Sequence, residues 1–291
     1  MNIMNILIYG FVNSLLLVLM ALGFALAYSV SRVPNFTHGA LYVLAGYLTW
    51  IFVNRLGLNY GLSIILSIAV ITGIGWLVYQ VAVIRVRGMR VSEIIVTFAI
   101  GIAILEFLRW LGLRGATYVL PVFYMKTINI FGVPVDSQRI AAVIIAALIV
   151  LALWLFTHCT KMGLSLRGIA QNERAALMLG IDSDRAATLA LSLGSALVAV
   201  AGITIIPMGN VNVPAGYDVL VFAIAVCICG GLGSWTGTIL AAFVIGFAQT
   251  IVAYLIAPHL VMVVALAAVI LILIFKPSGL FGRQKELEER V

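Results

Sequence analysis

The stretch "VLMALGFALAYSVSRVPNFTHGALYVLAGY", Val18 to Tyr47, contains two apolar segments separated by a short polar one. No charged residue occurs from position 3 to position 30, and the apolar sequence resumes after His38 and continues through Val53. A helix that spans a lipid bilayer needs about 20 mostly apolar residues, and each segment reaches roughly that length. The stretch therefore predicts a helix, a polar break and a second helix within a membrane.

The rest of the chain has the same composition. Of its 291 residues, 64% are hydrophobic and 9% are charged, whereas soluble domains contain about 45–50% apolar and about 25% charged residues. We predict an all-α fold: a polytopic helical membrane bundle that forms one domain over residues 1–291, with about 8–10 transmembrane helices and possible broken or re-entrant segments. Irregular connections are expected where breakers cluster, as between Pro121 and Pro134. The candidate spans are 3–31, 36–54, 61–84, 93–113, 138–157, 187–208, 217–232, 236–256 and 259–276.

The distribution of Lys and Arg predicts the orientation, because cytoplasmic loops are enriched in these residues. With the N-terminus outside, 12 of the 17 positive residues fall on the inner side. This orientation puts the C-terminus in the cytoplasm. The inner residues are Arg32, Arg85, Arg87, Arg90, Lys161, Arg167, Arg174, Arg185, Lys276, Arg283, Lys285 and Arg290, and the outer ones are Arg55, Arg109, Arg114, Lys126 and Arg139.

Two polar breaks occupy corresponding places in the chain. Pro34 follows the span 3–31, and Pro214 follows the span 187–208. In the predicted topology these spans run in opposite directions, and paired Pro interruptions in two inverted halves indicate a transport site. A helix N-terminus at membrane depth offers free N–H groups to a carboxylate. The candidate residues for a solute path are Asn35, Thr37, His38, Asn210, Asn212, Tyr217 and Asp218.

Simpler roles remain open for these side chains. Asn35 is suited to cap a helix that begins near Phe36, which could lie at the membrane surface. His38 could be a packing or hydrogen-bonding group, and Asp218 could be a carboxylate in the first turn of the next helix. Glu106 and Arg109 lie three residues apart and are expected to pair on one helix face.

The loop of about 158–187 contains "KMGLSLRGIAQNERAALMLGIDSDR", Lys161 to Arg185, with good helix formers and charges of both signs. We predict a small cytoplasmic helix within 165–180 that packs on protein, either on its own chain or on a partner. One stripe of that helix would contain Leu166, Ile169, Ala170, Ala176, Leu177 and Gly180, and the other side would contain Arg167, Gln171, Arg174 and Met178.

Several motifs resemble known sequences. "RAALMLGI" resembles the EAA loop of ABC importer permeases: Ala175, Ala176 and Gly180 fit its core, although Arg174 replaces the usual Glu and the later Leu-Pro is missing. The segments "NFTHGALYVLAGY", "GGLGSWTGTILAAFVIGFAQ" and "KPSGLFGR" resemble segments of branched-chain amino-acid permeases in the same order, from about residue 5 to residue 283. The chain is similar to the shorter of the two permease subunits of such an importer.

The resemblance implies a permease for branched-chain or other hydrophobic amino acids, integral to a prokaryotic plasma (inner) membrane. It implies a second permease subunit, two cytoplasmic ATPase subunits and an external solute-binding protein as partners, with ATP and Mg in the ATPases and no cofactor in this chain. The residues implied for ATPase coupling are Arg167, Gln171, Glu173, Arg174, Ala175, Ala176 and Gly180.

Other functions are less well supported by the sequence. Permeases for urea, amides or sugars share much of the pattern. An ion-coupled secondary transporter would need ionisable groups deep in the spans, and the only acids near them are Glu93, Glu106 and Asp218. No nucleophile–base set, metal-binding cluster or ATP motif occurs in the sequence, and the positive residues are too dispersed for a nucleic-acid surface.

Overall fold

The computed structural model describes residues 3–113, 118–123 and 126–282, and in these ranges the chain is a bundle of eleven α-helices. The predicted positions Arg114, Arg283, Lys285 and Arg290 lie outside the described residues. The helices are α1 Ile3–Ser31, α2 His38–Asn54, α3 Tyr60–Leu77, α4 Arg90–Trp110, α5 Ser137–Cys159, α6 Lys161–Gln171, α7 Glu173–Met178, α8 Ser183–Ile205, α9 Pro214–Gly230, α10 Trp235–Leu255 and α11 Val261–Phe275.

Short non-α helical turns extend three of these helices. A π-helical turn, Val78–Ala82, and a 3-10 turn, Val83–Val86, continue α3. Further 3-10 turns follow α8 at Ile206–Met208 and precede α11 at Pro258–Leu260. Pro207 and Pro258 lie within the last two turns, where an α-helical hydrogen bond is lost because proline has no N–H group.

All nine predicted spans are helical, but two of them are shorter than a full span. Seven helices in the described ranges are long and apolar enough to cross a membrane. The predicted spans 36–54 and 217–232 correspond to α2 and α9, which have 17 residues each. Both helices follow an interruption in the chain, and their first turns are in contact at Gly39 and Gly216, so neither crosses the bundle completely.

Helices α1 and α8 form the centre of the bundle. They pack antiparallel, with Gly23 facing Gly194 and Val30 packing against Ala186 and Ala190. A Cβ atom added to Gly23 would lie 2.5 Å from the carbonyl oxygen of Gly194, so a larger residue at position 23 would push the helices apart. Small residues let transmembrane helices approach closely, which is the main source of packing energy between helices in lipid.

Helices α5 and α11 lie at the periphery. Only 17% of the apolar window of α5 and 6% of that of Pro258–Phe275 is buried inside the protein. Their exposed side chains are apolar, including Ile144, Leu148, Ile270 and Ile274. Because all backbone groups of a helix are hydrogen-bonded internally, such surfaces are stable against hydrocarbon.

The two ends of the bundle have different structures. One end, here called the α6 end, contains α6 and α7 together with the end of α1 and the α3–α4 turn. The α9–α10 turn lies at the same end, because Trp235 donates to Ser29 Oγ of α1 at 3.2 Å. The opposite hairpin end contains two antiparallel strands, β1 Thr127–Ile130 and β2 Val133–Asp136. The sequence pattern predicted only an irregular connection there, because Pro134 and short strands mask the alternation that indicates a hairpin.

Candidate solute path and coupling site

Helix α2 begins deep in the bundle, beside the middle of α1. The Nε2 atom of His38 is 2.8 Å from the carbonyl oxygen of Met20. Met20 precedes the end of α1 at Ser31 by eleven residues, which is about 16 Å along a helix that rises 1.5 Å per residue. The polar segment of residues 32–37, here called the first break, therefore runs from the α6 end to the interior of the bundle.

Asn35 organises the first break but does not cap α2 as predicted. Its Oδ1 atom accepts hydrogen bonds from the backbone N–H of Thr37 at 3.1 Å and from the Thr37 hydroxyl at 2.5 Å. Thr37 is the residue that precedes the helix, and α2 begins at His38, two residues later than predicted. An Asn side chain that bonds two residues ahead stabilises a turn, which competes with helix at this position.

The second break, residues 206–213, leads from the hairpin end to α9. Asn212 Oδ1 accepts from the N–H of Ala215 at 2.8 Å, which satisfies one of the free donors of the first turn. Pro214 is the first residue of α9, a position that needs no N–H group. Asp218 is the fifth residue of the helix and not part of its first turn, so the predicted helix-start role of its carboxylate is wrong.

The N-terminal turns of α2 and α9 meet inside the bundle. A Cβ atom on Gly216 would lie 3.0 Å from the carbonyl oxygen of Gly39, and a Cβ on Gly39 would overlap the carbonyl of Gly216. From this contact α2 runs toward the hairpin end and α9 toward the α6 end, where Leu280 donates to the carbonyl of Cys229. The first turns of the two helices that follow the breaks are therefore in contact, and the partial positive charges of two helix N-termini are brought together. That the two breaks line a solute path stays a prediction.

The predicted path residues divide into a buried group and an exposed group. Asn35, Thr37 and His38 are at most 4% exposed and have partners within the chain. By contrast, Tyr217 is 37% exposed, Asp218 and Asn210 are exposed, and Asn212 is half-buried. Tyr217 lies in a shallow groove between α2, α4 and α9, whose walls are Phe36, Ala40, Phe98, Gly101, Ile102, Leu105, Gly216 and Leu220.

The predicted coupling helix consists of two helices. Asn172 interrupts it: its backbone is extended, and its Oδ1 accepts from the N–H of Ala175 at 3.1 Å as the cap of α7. Leu166, Ile169 and Ala176 pack against the ends of α1 and α8, as the stripe predicted. Leu177 and Gly180 are exposed, contrary to the prediction, because the interruption changes the direction of α7 relative to α6.

The segment after α7 presents apolar side chains to the surroundings. Leu177, Met178 and Leu179, here called the α7 tip, are 50%, 90% and 82% exposed. Gly180 ends the helix with a φ of +79°, and the N–H of Ile181 bonds to the carbonyl of Ala176. This is a Schellman motif, in which a residue with positive φ is needed and glycine is strongly favoured. The remaining predicted coupling residues precede this tip on α6 or α7: Arg167, Gln171, Glu173, Arg174 and Ala175.

Sequence reasoning did not identify a polar cluster around Arg87, in the α3–α4 turn. Arg87 forms ion pairs with Glu173 of α7, at 3.4 Å, and with Asp184 of α8. Ser183 donates to Glu173 Oε1 at 2.6 Å, and the Tyr79 hydroxyl donates to Asp184 Oδ1 at 3.0 Å. The only sequence signal is that a basic turn and a distant acidic segment fall on the same predicted side of the membrane.

The remaining observations concern the predicted ion pair of α4, the cysteines and side chains that could bind a metal ion. Glu106 and Arg109 form the expected ion pair, at 2.8 Å on an exposed face of α4. Cys227 and Cys229 are buried and Cys159 is exposed. In the described ranges, no three His, Cys, Asp or Glu side chains come close enough together to hold a metal ion.

Comparisons with known proteins agree with this architecture. The chain is 26% identical over 280 residues to the high-affinity branched-chain amino acid transport system permease protein LivH of Escherichia coli K12, covering 91% of each chain. It is 28% identical over 284 residues to BraD of Pseudomonas aeruginosa, again covering 91% of each, and 28% identical over 286 residues to a probable LivH of Methanocaldococcus jannaschii, covering 93% of this chain and 90% of that one.

A solved structure and a family model extend the comparison. The structure of PsaBC from Streptococcus pneumoniae in complex with Fab has the same fold, with a TM-score of 0.53, 12% identity, and coverage of 98% of this chain and 95% of that one. The model of the branched-chain amino acid transport system permease component matches residues 6–274. This match covers nearly the whole chain, and the chain therefore belongs to the family of branched-chain amino acid transport permease components.

Proposed function

We propose that this chain is a permease subunit of an ABC importer for branched-chain or other hydrophobic amino acids. In this proposal the chain supplies part of the solute path, and ATP is hydrolysed, with Mg, in partner chains. The observation that carries the proposal is the contact between the N-terminal turns of α2 and α9 inside a membrane bundle of a transport family. Helix N-termini at membrane depth are suited to the carboxylate of an amino acid.

The solute path is proposed to run along the groove between α2, α4 and α9. Its walls are apolar and include Phe36, Phe98 and Leu220, and in this chain alone it encloses only about 10 Å³. The space for an aliphatic side chain would therefore need a partner subunit as its other wall. Tyr217 is exposed in the groove and Asp218 is exposed next to it in the chain, whereas Asn35, Thr37 and His38 hold the first break in position from inside the chain. A second permease subunit, in a heterodimer, would cover this exposed face and complete the path.

The groove favours a small neutral or zwitterionic solute. The residues that line it include no Asp or Glu, and no Arg or Lys of the kind that a phosphate or dicarboxylate requires. Amides, urea or a sugar are the second candidates. Glu93 gives no support to ion-coupled transport, because it is 4% exposed and accepts from the N–H of Gly88 at 2.6 Å near the α6 end and not at mid-depth.

The α6 end is proposed to face the cytoplasm and two ATPase subunits. Nine of the predicted inner positive residues are within the described ranges: Arg32, Arg85, Arg87, Arg90, Lys161, Arg167, Arg174, Arg185 and Lys276. The α7 tip is the proposed ATPase contact, because three adjacent apolar side chains are exposed there beyond the membrane segments. The hairpin end and the N-terminus would then be outside, where an external solute-binding protein docks.

Affinity purification of the chain from its native membrane, with mass spectrometry of the associated chains, tests this proposal. We expect a second permease, ATPase subunits in equal amount to the permeases, and ATP hydrolysis by the purified complex. Recovery of the chain alone or as a homo-oligomer, without an ATPase, would contradict the proposal and favour an ion-coupled transporter.

A further inference from the structure

The coupling segment, defined as α6 and α7 together, bends at one joint, residues 170–173. An arginine from another part of the chain binds each side of this joint. Helix α6 ends at Gln171 and α7 begins at Glu173, with Asn172 extended between them at φ −157° and ψ 101°. The N–H of Asn172 donates to the carbonyl of Gly168 at 3.0 Å and its carbonyl accepts from Ala176 at 3.0 Å, but its extended backbone ends one helix and starts the next. The joint is thus the place where α7 could change its angle to α6.

Arg32 holds the α6 side of the joint. Its Nη2 atom donates to the carbonyl oxygen of Ala170 at 2.6 Å. The last carbonyl groups of a helix have no partner within the helix and carry partial negative charge, so a guanidinium is well suited to this position. Arg32 has a φ of +58°, and it is the first residue of the first break.

Arg87 holds the α7 side of the joint. It is 3.4 Å from Glu173 Oε1, at the first residue of α7, and it also pairs with Asp184 in the first turn of α8. The Tyr79 hydroxyl, in the π-helical turn after α3, bonds to the same Asp184 oxygen atom. A single side chain therefore connects α7, α8 and the end of α3, and π-helical turns occur frequently at functional positions.

Both arginines are physically connected to the first break, Arg32 through the chain and Arg87 through α4. Arg32 is covalently part of it, only six residues before His38. Arg87 precedes α4, and the middle of α4 packs on the break: a Cβ on Gly101 would lie 3.0 Å from the Phe36 carbonyl oxygen, and the Phe36 and Phe98 rings meet edge to face at 5.8 Å. A movement of the joint therefore has two physical routes to the start of α2.

We propose that Arg32 and Arg87 are positioning residues that transmit movements of the α6–α7 joint to the first break, and so to the contact of α2 with α9. This inference rests on the proposed docking of the α7 tip on an ATPase. Arginine is required at position 87 because its planar fork binds oxygen atoms of Glu173 and Asp184 in a fixed geometry, which a lysine ammonium cannot reproduce. At position 32 the end of the guanidinium, at Nη2, reaches the Ala170 carbonyl oxygen.

The test uses the complete complex, reconstituted in proteoliposomes, with solute uptake and ATP hydrolysis measured in the same sample. The variants are Arg32→Lys, Arg87→Lys and Arg87→Gln, and the matched control is Arg85→Gln, an exposed arginine two residues from Arg87. We expect uptake per ATP hydrolysed to fall about five- to tenfold in the first three variants, as for loss of a typical coupling between sites. Subunit assembly and basal ATP hydrolysis should remain within about twofold, and the control should match the wild type.

The exchanged pair Arg87→Asp with Asp184→Arg separates a specific role from a general loss of stability. Partial recovery of uptake per ATP in the double variant, relative to either single variant, would support the inference because coupled residues are non-additive. Unchanged uptake per ATP in Arg32→Lys and Arg87→Lys, in a wild-type complex that transports normally, would overturn it. Failure of the wild-type chain to assemble with any ATPase would instead overturn the proposed function.

Discussion

At the scale of single residues, the contact between Gly39 and Gly216 sets the distance between α2 and α9. The two glycines are 177 positions apart in sequence, and each faces the backbone of the other. The prolines that interrupt the chain indicated the two breaks from sequence alone. The glycine contact was not predictable in the same way, because a glycine in an apolar run shows nothing about which distant helix it faces.

Replacing Gly39 by alanine is expected to destabilise the protein. The added methyl group would overlap the Gly216 carbonyl, which is backbone and cannot rotate away. Overpacking of this kind costs about 1–3 kcal/mol, so thermal unfolding of the purified complex should occur at lower temperature. Gly73→Ala, in an open position of α3, is the control and should be neutral or slightly stabilising. Equal melting temperatures for the two variants would show that the contact is not tight.

Gly180 is expected to tolerate asparagine better than alanine. Its φ of +79° disfavours a side chain, although there is open space around it. Alanine in a left-handed conformation costs about 1–2 kcal/mol, and asparagine costs less because its side chain bonds locally. We therefore expect Gly180→Ala to reduce ATP-driven uptake more than Gly180→Asn, with equal amounts of both variants in the membrane by immunoblot. Higher uptake by the alanine variant would contradict a role for the Schellman motif.

At the scale of elements, the sequence of the coupling segment predicted its buried face correctly but did not predict the interruption at Asn172. Helical spacing correctly placed Leu166, Ile169 and Ala176 against the bundle. It failed after Asn172, because the spacing was extended through a residue that caps a new helix. Asparagine is a common cap, but whether one inside a helical pattern interrupts it depends on contacts such as those of Arg32 and Arg87, which are remote in sequence.

An acidic residue in the α7 tip is expected to prevent ATPase binding. Met178→Glu and Leu179→Glu put a charge where exposed apolar side chains offer contact area, and a buried unpaired charge costs several kcal/mol at an interface. Co-purification of the ATPase subunits should fall about tenfold or more, since such a cost exceeds one factor of ten in affinity. Phe131→Glu, 82% exposed in the hairpin turn at the other end, should retain full co-purification. Unchanged ATPase recovery in both tip variants would exclude the tip as the contact.

At the scale of the whole molecule, composition alone was sufficient to indicate a helical membrane bundle. The number of complete spans was not, because α2 and α9 have apolar compositions similar to those of spanning helices yet begin inside the protein. The depth at which a helix begins is set by the assembled bundle. The position of His38 beside Met20 follows from packing against α1 and not from the local sequence.

The orientation in the membrane can be measured with the protein's own cysteines. Cys159 is exposed at the α6 end, whereas Cys227 and Cys229 are buried. A membrane-impermeant maleimide should label Cys159 in inside-out vesicles and not in intact cells whose outer barrier is permeabilised. The variant Phe131→Cys in a Cys159→Ser background should give the reverse pattern. Labelling of Cys159 from outside would place the coupling segment on the wrong side for an ATPase.

The central claim, that the bundle conducts hydrophobic amino acids under the control of an ATPase, is tested most directly by uptake in proteoliposomes. The complex is reconstituted with its external binding protein, and leucine, isoleucine, valine, urea, a simple amide, a sugar and a phosphorylated solute are compared with and without ATP. We expect ATP-dependent uptake of the three aliphatic amino acids and none of the phosphorylated solute. ATP-dependent uptake of the phosphorylated solute, with none of the neutral amino acids or amides, would contradict the account.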